Sequence, residues 1–300
     1  MKSIPGLLAF LAALILSPVA FAQHALVIQT DFGTKDGAVA AMKGVAFGVD
    51  PKLAIFDLSQ ENTPYDIWEA AYRLHQTCPY WPEGTVFVSV IDPGVGTERF
   101  SVVLKTKSGR YFVGPDNGTW TLVAEEFGVE AVRRIDEKLN RRPGSEKSYT
   151  FHGRDIYAFT GARLAAGKIT FEQVGPLLDT KIVTLPYAKP ELKNGVLVGT
   201  IPTLDFHYGN VWTNIPDMLF NELKPAFGDY FNVTIFHDGK EKYRGVIPYA
   251  HTFGDVPEGE PLLYLNSLLN VSFALNMGSF AEKHQLSSGG TWTVRVEKAK

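Results

Sequence analysis

The chain has 300 residues, is 45% hydrophobic and carries a formal net charge of -3. That length and apolar content suit one large domain or two of ordinary size, and the sequence favours two. With no basic excess and no Lys/Arg stripe interleaved with aromatics, nucleic acid is excluded as an expected partner.

The chain starts MKSIPGLLAFLAALILSPVAFAQ, with Lys2, an apolar run over 6–16, the helix breaker Pro18, and Ala20 and Ala22 flanking Phe21. This is the pattern of a secretory signal cut before Gln23, because the run is shorter than the roughly 20 residues that span a bilayer. The expectation is a signal peptide over 1–22 and an exported protein, periplasmic or secreted, with no stable membrane insertion after cleavage. Cys78 is the single cysteine, so no internal disulfide is available to an exported chain. It reads as an apolar filler rather than a nucleophile.

From residue 24 to about 186, apolar runs alternate with helical patterns. The runs are ALVIQ (25–29), LAIFDL (53–58), TVFVSVI (85–91), SVVLKT (101–106) and RYFVG (110–114), and the helical stretches are 37–47, 67–78, 119–126 and 155–166. This alternation predicts an α/β domain over 23–188 with a mostly parallel sheet sandwiched by helices. After Pro190 the runs GVLVGTI, YFNVTIF, EKYRGVI, LLYLN and TWTVRV, joined by turn residues, predict a smaller antiparallel barrel or sandwich over 189–300.

Ligands of open α/β sheets sit beyond the carboxyl ends of the strands. Three predicted strands end on polar groups beside glycine: Asp31, Asp92, and the run Asp116-Asn117-Gly118. Together they read as the lining of one pocket, where glycine lets a ligand approach the backbone. The stretch IDPGVGTER adds Arg99, and TFHGRD adds His152 just before a helix. A carboxylate, a fixed cation and an imidazole around one point would position and polarise a small oxygen nucleophile, although His152 equally suits a structural helix cap.

No dinucleotide fingerprint, phosphate loop, HExxH or GxSxG elbow is present, and no Cys/His cluster has zinc spacing. A metal site built from Asp31, Asp92, Asp116 and His152 is disfavoured by Arg99 and Arg154 beside the carboxylates. In the second half, LDFHYGNVWTNIP places Asp205, Asn210 and Trp212 within an expected turn, and YLNSLLNVSFALNMGS holds Asn266, Ser267 and Asn276. An Asn amide can read a base edge and a Trp face can stack, but each taken alone reads as a turn.

The blocks TDFGTKD (30–36), IDPGVGTER (91–99), FVGPDNG (112–118), TFHGRD (150–155), YGNVWTNI (208–215) and YLNS…ALNMGS (264–279) occur in order along the chain. In this the sequence resembles the S-adenosylmethionine (SAM) hydroxide adenosyltransferases, the hydrolytic relatives of SAM-dependent fluorinases and chlorinases. The resemblance implies an N-terminal α/β domain, a C-terminal β-barrel, a homotrimer with SAM between subunits, and neither metal nor cofactor. It implies that Asp92, Arg99 and His152 activate or position water. It places Asp31 on the ribose hydroxyls, Asp36 and Asp205 near the methionine amino group, and Ser267 at the methionine end. Asn210 and the Asn276-Met277 backbone fall where adenine is read, and Tyr65, Trp212 and Phe253 form aromatic walls.

Leu268 stands where the halogenating branch has an arginine and Ala38 where it has a serine, so the methionine carboxylate lacks its expected anchor. His152-Gly153 replaces the halide-binding residues, and the long insertion after the Asp92 strand is missing, which favours water over halide. The expected activity is hydrolysis of SAM to adenosine and methionine by attack on the 5′ carbon. The alternatives are an exported SAM- or nucleoside-binding protein without turnover, and a SAM-dependent halogenase.

Overall fold

The computed structural model describes residues 24–179 and 181–300, so the expected signal peptide lies outside the described residues. Among them, no helix is long and apolar enough to cross a membrane.

The first part of the chain runs β1 (Leu26–Thr30), α1 (Ala38–Val49), β2 (Ile55–Ser59), α2 (Ile67–Thr77), β3 (Val86–Val90), β4 (Ser101–Thr106), β5 (Tyr111–Pro115), α3 (Thr121–Phe127) and β6 (Val129–Arg134). It continues through α4 (Glu137–Asn140), a π-helical turn (Gly153–Ala158), α5 (Phe159–Ala165) and the two-residue β7 (Leu177–Leu178). The seven strands form one sheet in the order β2-β1-β3-β5-β4-β6-β7. β1 is parallel to β2 and β3, and β3 to β5, while β4 pairs antiparallel with both β5 and β6.

Both faces of this sheet are covered, which is why its central strands read as unbroken apolar runs. Leu26, Ile28, Val86 and Val88 pack against Met42 and Ala46 of α1 and against Ile156, Ala158 and Ala162. On the other face Val27, Phe87 and Phe112 meet Leu74, Cys78, Trp120 and Val123. Cys78 is fully buried there, and burial pushes its thiol up to about 12, so it is packing rather than chemistry.

The second part comprises β8 (Glu191–Lys193), β9 (Val196–Ile201), β10 (Thr203–Asp205), β11 (Asn210–Pro216), α6 (Asp217–Phe220), β12 (Tyr230–His237) and β13 (Lys240–Pro248). β14 (Pro261–Leu265), β15 (Asn270–Leu275), α7 (Phe280–His284) and β16 (Gly289–Lys298) complete it. Two antiparallel sheets result, β10-β11-β15-β14 and β13-β12-β16-β9-β8, sharing a core that includes Leu197, Val211, Phe231, Phe273 and Val294. The expected β-barrel is therefore corrected to a pair of open sheets. The edge strands β8 and β10 have three residues each, too few backbone groups to close a cylinder, and β13 meets β14 only near the single bridge of Tyr249 to Leu263. The run expected as a turn around Asn210 and Trp212 is the central strand β11, paired with β10 and β15.

The second part is tied to the first. Trp68 Nε1 of α2 donates to Pro202 O at 3.1 Å, and Trp212 and Leu268 pack with Ala71, Tyr72 and Leu122.

Gly114 marks the tightest strand contact near the site: a Cβ there would lie 2.3 Å from Ser89 O and 3.0 Å from the Trp120 ring. Gly44, on the exposed face of α1, would meet nothing within 4 Å. Urea unfolding should therefore show Gly114→Ala destabilised by about 1–3 kcal/mol through overpacking, and Gly44→Ala stabilised by roughly 0.5–1 kcal/mol through helix propensity. Equal effects at the two positions would contradict this packing.

Candidate active site

β1 and β3 are adjacent and parallel, in register from Leu26 with Val86 to Thr30 with Val90. The residues that follow them, Asp31 and Asp92, consequently emerge at the same edge of the sheet. Beyond Ile91 the chain folds in two turns, with Val95 N–H donating to Asp92 O at 3.2 Å and Thr97 N–H to Gly94 O at 3.0 Å. Gly96 takes φ +78°, a left-handed conformation that L side chains rarely adopt. A Cβ on Gly94 would press on Thr97 Oγ1 at 3.3 Å and Arg99 Cγ at 3.4 Å. This tight path returns Arg99 onto Asp92.

Arg99 grips Asp92 with two donors: Nε to Oδ1 at 2.8 Å and Nη2 to Oδ2. The Asp92 side chain is only 4% exposed. Burial is the largest single influence and acts against the Arg99 charge, but the bond to Asp92 together with the fields of Tyr157, Asp92 and Glu137 holds the guanidinium above its ordinary value. Nη2 also lies 3.1 Å from His152 Nδ1. A guanidinium only donates, so Nδ1 accepts, and the neutral ring carries its proton on Nε2. Burial and then the Arg99 charge push His152 below the usual histidine value, which keeps it neutral. Its Nε2 is buried and has no hydrogen-bond partner among the described residues.

The segment that carries His152 is clamped from behind. Asp155, fully buried, receives Arg154 Nε at 2.8 Å and Nη2 at 2.7 Å, and Arg142 Nε at 3.1 Å. At Gly153 a Cβ would come within 3.2 Å of Val90 and 3.4 Å of Met42 and Phe32, so this turn lies close against the end of β3 and a larger residue would have to displace Val90 slightly. The π-helical turn then brings Tyr157 under the cation. Arg99 Nη1 donates to Ser101 Oγ at 3.3 Å, and Ser101 Oγ bonds Tyr157 OH at 3.1 Å. Ser101 and Tyr157 were not legible as site residues, because no motif marks a buried pair that touches the reacting groups only through Arg99.

A cavity of about 380 Å³ opens at this edge, lined by Asp31, Tyr65, Asp92 and His152 with Phe32 and Phe151 as walls. Asp31 Oδ2 accepts Tyr65 N–H at 2.9 Å, and Tyr65 takes φ +70° and is 73% exposed. The third strand end departs from expectation. Asp116 lines none of these walls; its Oδ1 accepts Val183 N–H at 3.0 Å, and Asn117 Nδ2 ties back to Ile91 O at 2.8 Å. Those residues are turn chemistry. Asp36 is likewise at the start of α1, accepting Ala38 N–H at 2.8 Å, and lies outside this lining.

A second cavity, of about 730 Å³, gathers the remaining predicted residues. Asp205, Asn210 and Trp212 line it together with Phe253, and Ser267, Asn276 and Met277 complete the set. Asn210 Nδ2 donates to Asp205 Oδ2 at 3.1 Å, which leaves the Asn210 oxygen as its free acceptor. The Asn276 N–H is committed to Glu260 O at 3.1 Å and its Nδ2 to Val256 O at 2.8 Å. Of the pair predicted to present backbone to a base, Met277 is therefore the free one, at φ +56° and 83% exposed. The two cavities have no lining residue in common. Among the described residues no three His, Cys, Asp or Glu side chains converge as a metal site.

The chain matches the family model of the SAM hydroxide adenosyltransferase N-terminal domain over residues 26–175 and that of the C-terminal domain over residues 199–293. It belongs to the SAM hydroxide adenosyltransferase family. An (R)-S-adenosyl-L-methionine hydrolase of Thermus thermophilus is 35% identical over 270 residues, covering 87% of this chain and 95% of that protein. Another, of Methanocaldococcus jannaschii, is 47% identical over 143 residues, covering 46% of this chain and 52% of that protein. A fluorinase of Actinoplanes is 31% identical, with 90% and 96% covered. The crystal structure of an uncharacterized conserved protein from Thermotoga maritima superposes with TM-score 0.83 at 35% identity, covering 90% of this chain and 99% of that one. Within this adenosyltransferase family fold, the Asp92-Arg99-His152 cluster occupies the edge where parallel strands end.

Histidine-labelled NMR checks the protonation of His152. The ring should be the Nε2–H tautomer and titrate below pH 6.5, its unperturbed value. Because the folded value lies below the unfolded one, His152 contributes stability that is present above about pH 6.5 and is lost as pH falls from there through the lowered folded value. A midpoint above 6.5, or an Nδ1–H ring, would contradict the Arg99 contact.

Proposed function

We propose that this protein hydrolyses SAM to adenosine and methionine by attack of water on the 5′ carbon. The observation that carries the reading is the cluster itself: a carboxylate and an imidazole locked by one guanidinium, with an unpartnered ring N–H beside a cavity. Water placed there donates one hydrogen to Asp92 and accepts the Nε2–H of His152. Its remaining lone pair is left for the 5′ carbon.

The sulfonium is a good leaving group, and methionine departs as a neutral thioether. The difficulty lies in the nucleophile, since bulk water has a pKa of about 15.7. Arg99 adds a fixed positive charge that favours hydroxide character at the site without reorganisation during attack. Asp92 is held in place by Arg99. It aligns the water first and takes the proton as the carbon–oxygen bond forms, then passes it to solvent. No residue of this chain needs to be alkylated, and a balanced reaction requires only water.

Asp31, with one carboxylate oxygen engaged by Tyr65 N–H, keeps the other for a ribose hydroxyl. Asn210, turned by Asp205, offers an acceptor to the adenine amino group. These two sets belong to cavities with no lining residue in common, which supports a homotrimer whose sites are completed by a neighbouring copy, as in the resemblance.

One set of variants tests both levels. Asp92→Asn retains volume and should lower kcat by roughly 10²–10⁴-fold, the range for a positioned acid–base group, with SAM affinity little changed. Asp92→Ala and Asn210→Ala, each inactive alone, should regain part of the activity when dissociated and reassociated together. Full activity in Asp92→Asn would overturn the mechanism, whereas mixed oligomers without recovery would place each site within a single chain.

A further inference from the structure

Asn266 lies in the turn between β14 and β15, beside the larger cavity, and is 4% exposed. Its orientation is set by the backbone rather than chosen: Oδ1 accepts the N–H of Leu268 at 2.9 Å and of Asn270 at 3.1 Å. Two backbone donors can only face the amide oxygen, so the NH2 group is turned the other way. That Nδ2 is buried and has no hydrogen-bond partner among the described residues. An unpaired amide donor is costly to bury, and within a ligand cavity it calls for an acceptor supplied by the ligand.

The charges of the cavity indicate which acceptor. Neither cavity has a lysine or arginine in its lining. Leu268, which follows Ser267, packs into the apolar cluster of Ala71, Tyr72, Leu122 and Trp212 and supplies no donor. SAM carries one anionic group, its carboxylate, and two cationic ones, the sulfonium and the ammonium. A cationic anchor would attract the first while opposing the other two. A neutral NH2, with the Ser267 hydroxyl next to it in the chain, supplies several donors to a multi-acceptor carboxylate without that conflict.

We propose that Asn266 is a substrate-specificity residue, whose Nδ2 binds the carboxylate of the methionine moiety in place of a positive side chain. This rests on SAM being the substrate, as proposed above.

The test compares SAM with its decarboxylated counterpart, which has the same adenosine, sulfonium and amine but no carboxylate. Asn266→Asp keeps oxygen acceptors for Leu268 and Asn270 and so retains the turn, while replacing the donor with a repelling charge. Its urea midpoint should fall, because a carboxylate is buried there, but a loss of folded protein lowers the rates on both ligands alike and leaves their ratio unchanged. Its kcat/KM for SAM should fall roughly 10- to 100-fold, mainly through KM, as for losing a hydrogen bond to a charged group. With the decarboxylated ligand it should fall less than about 3-fold, because the lost group is absent there. Equal losses on both ligands, or none on SAM, would overturn the assignment and leave Asn266 a turn residue facing buried water. If wild-type protein releases adenosine from neither ligand, hydrolysis itself fails; calorimetric binding of the same two ligands to both proteins then decides the Asn266 proposal, and unchanged SAM affinity in Asn266→Asp refutes it.

Discussion

The guanidinium of Arg99 is the constraint on which the site depends. It bonds both oxygens of Asp92, reaches Nδ1 of His152, and rests through Ser101 on Tyr157. One always-charged group thus sets the direction of a carboxylate, the tautomer of an imidazole and the local field. Removing it would leave a buried carboxylate unpaired and free the histidine to take either tautomer, so chemistry and stability are coupled at this one side chain.

The fold supplies what the guanidinium needs. β3 is buried along its whole length, which makes its end a rigid mount for Asp92. Gly94 and Gly96 allow the return turn that brings Arg99 back, and Gly153 allows the His152 segment to press on Val90. Asp155, clamped by Arg142 and Arg154, fixes that segment from the far side. Two stretches distant in sequence, 90–101 and 152–157, are therefore brought to one edge by strand order and held there by close backbone approach.

Much of this was legible in the sequence. β1, β3 and β5 are apolar runs closed by aspartate or proline, and Asp92, Arg99 and His152 lie in motifs dense with turn residues. Where the chain was misread, the cause is physical. β6, VEAVRR, is a partly exposed strand whose charges hide its period. β11, NVWTNIP, carries polar residues that suggest a turn, but Val211, Trp212, Thr213 and Ile215 are buried by pairing with strands far away in sequence. Barrel closure depends on such long-range pairing and is not encoded in periodicity. Asp116 has the same turn composition as Asp92, and only strand order separates the structural carboxylate from the one beside the cavity.

In the proposed hydrolysis the oxygen of water ends on the 5′ carbon. Incubating the protein with SAM in H₂¹⁸O containing chloride, and analysing the products by mass spectrometry, tests it most directly. Hydrolysis by this cluster should leave one ¹⁸O atom in the 5′ hydroxyl of adenosine, unlabelled methionine and no 5′-chlorinated nucleoside. Adenosine without label, or a halogenated nucleoside as the main product, would contradict it.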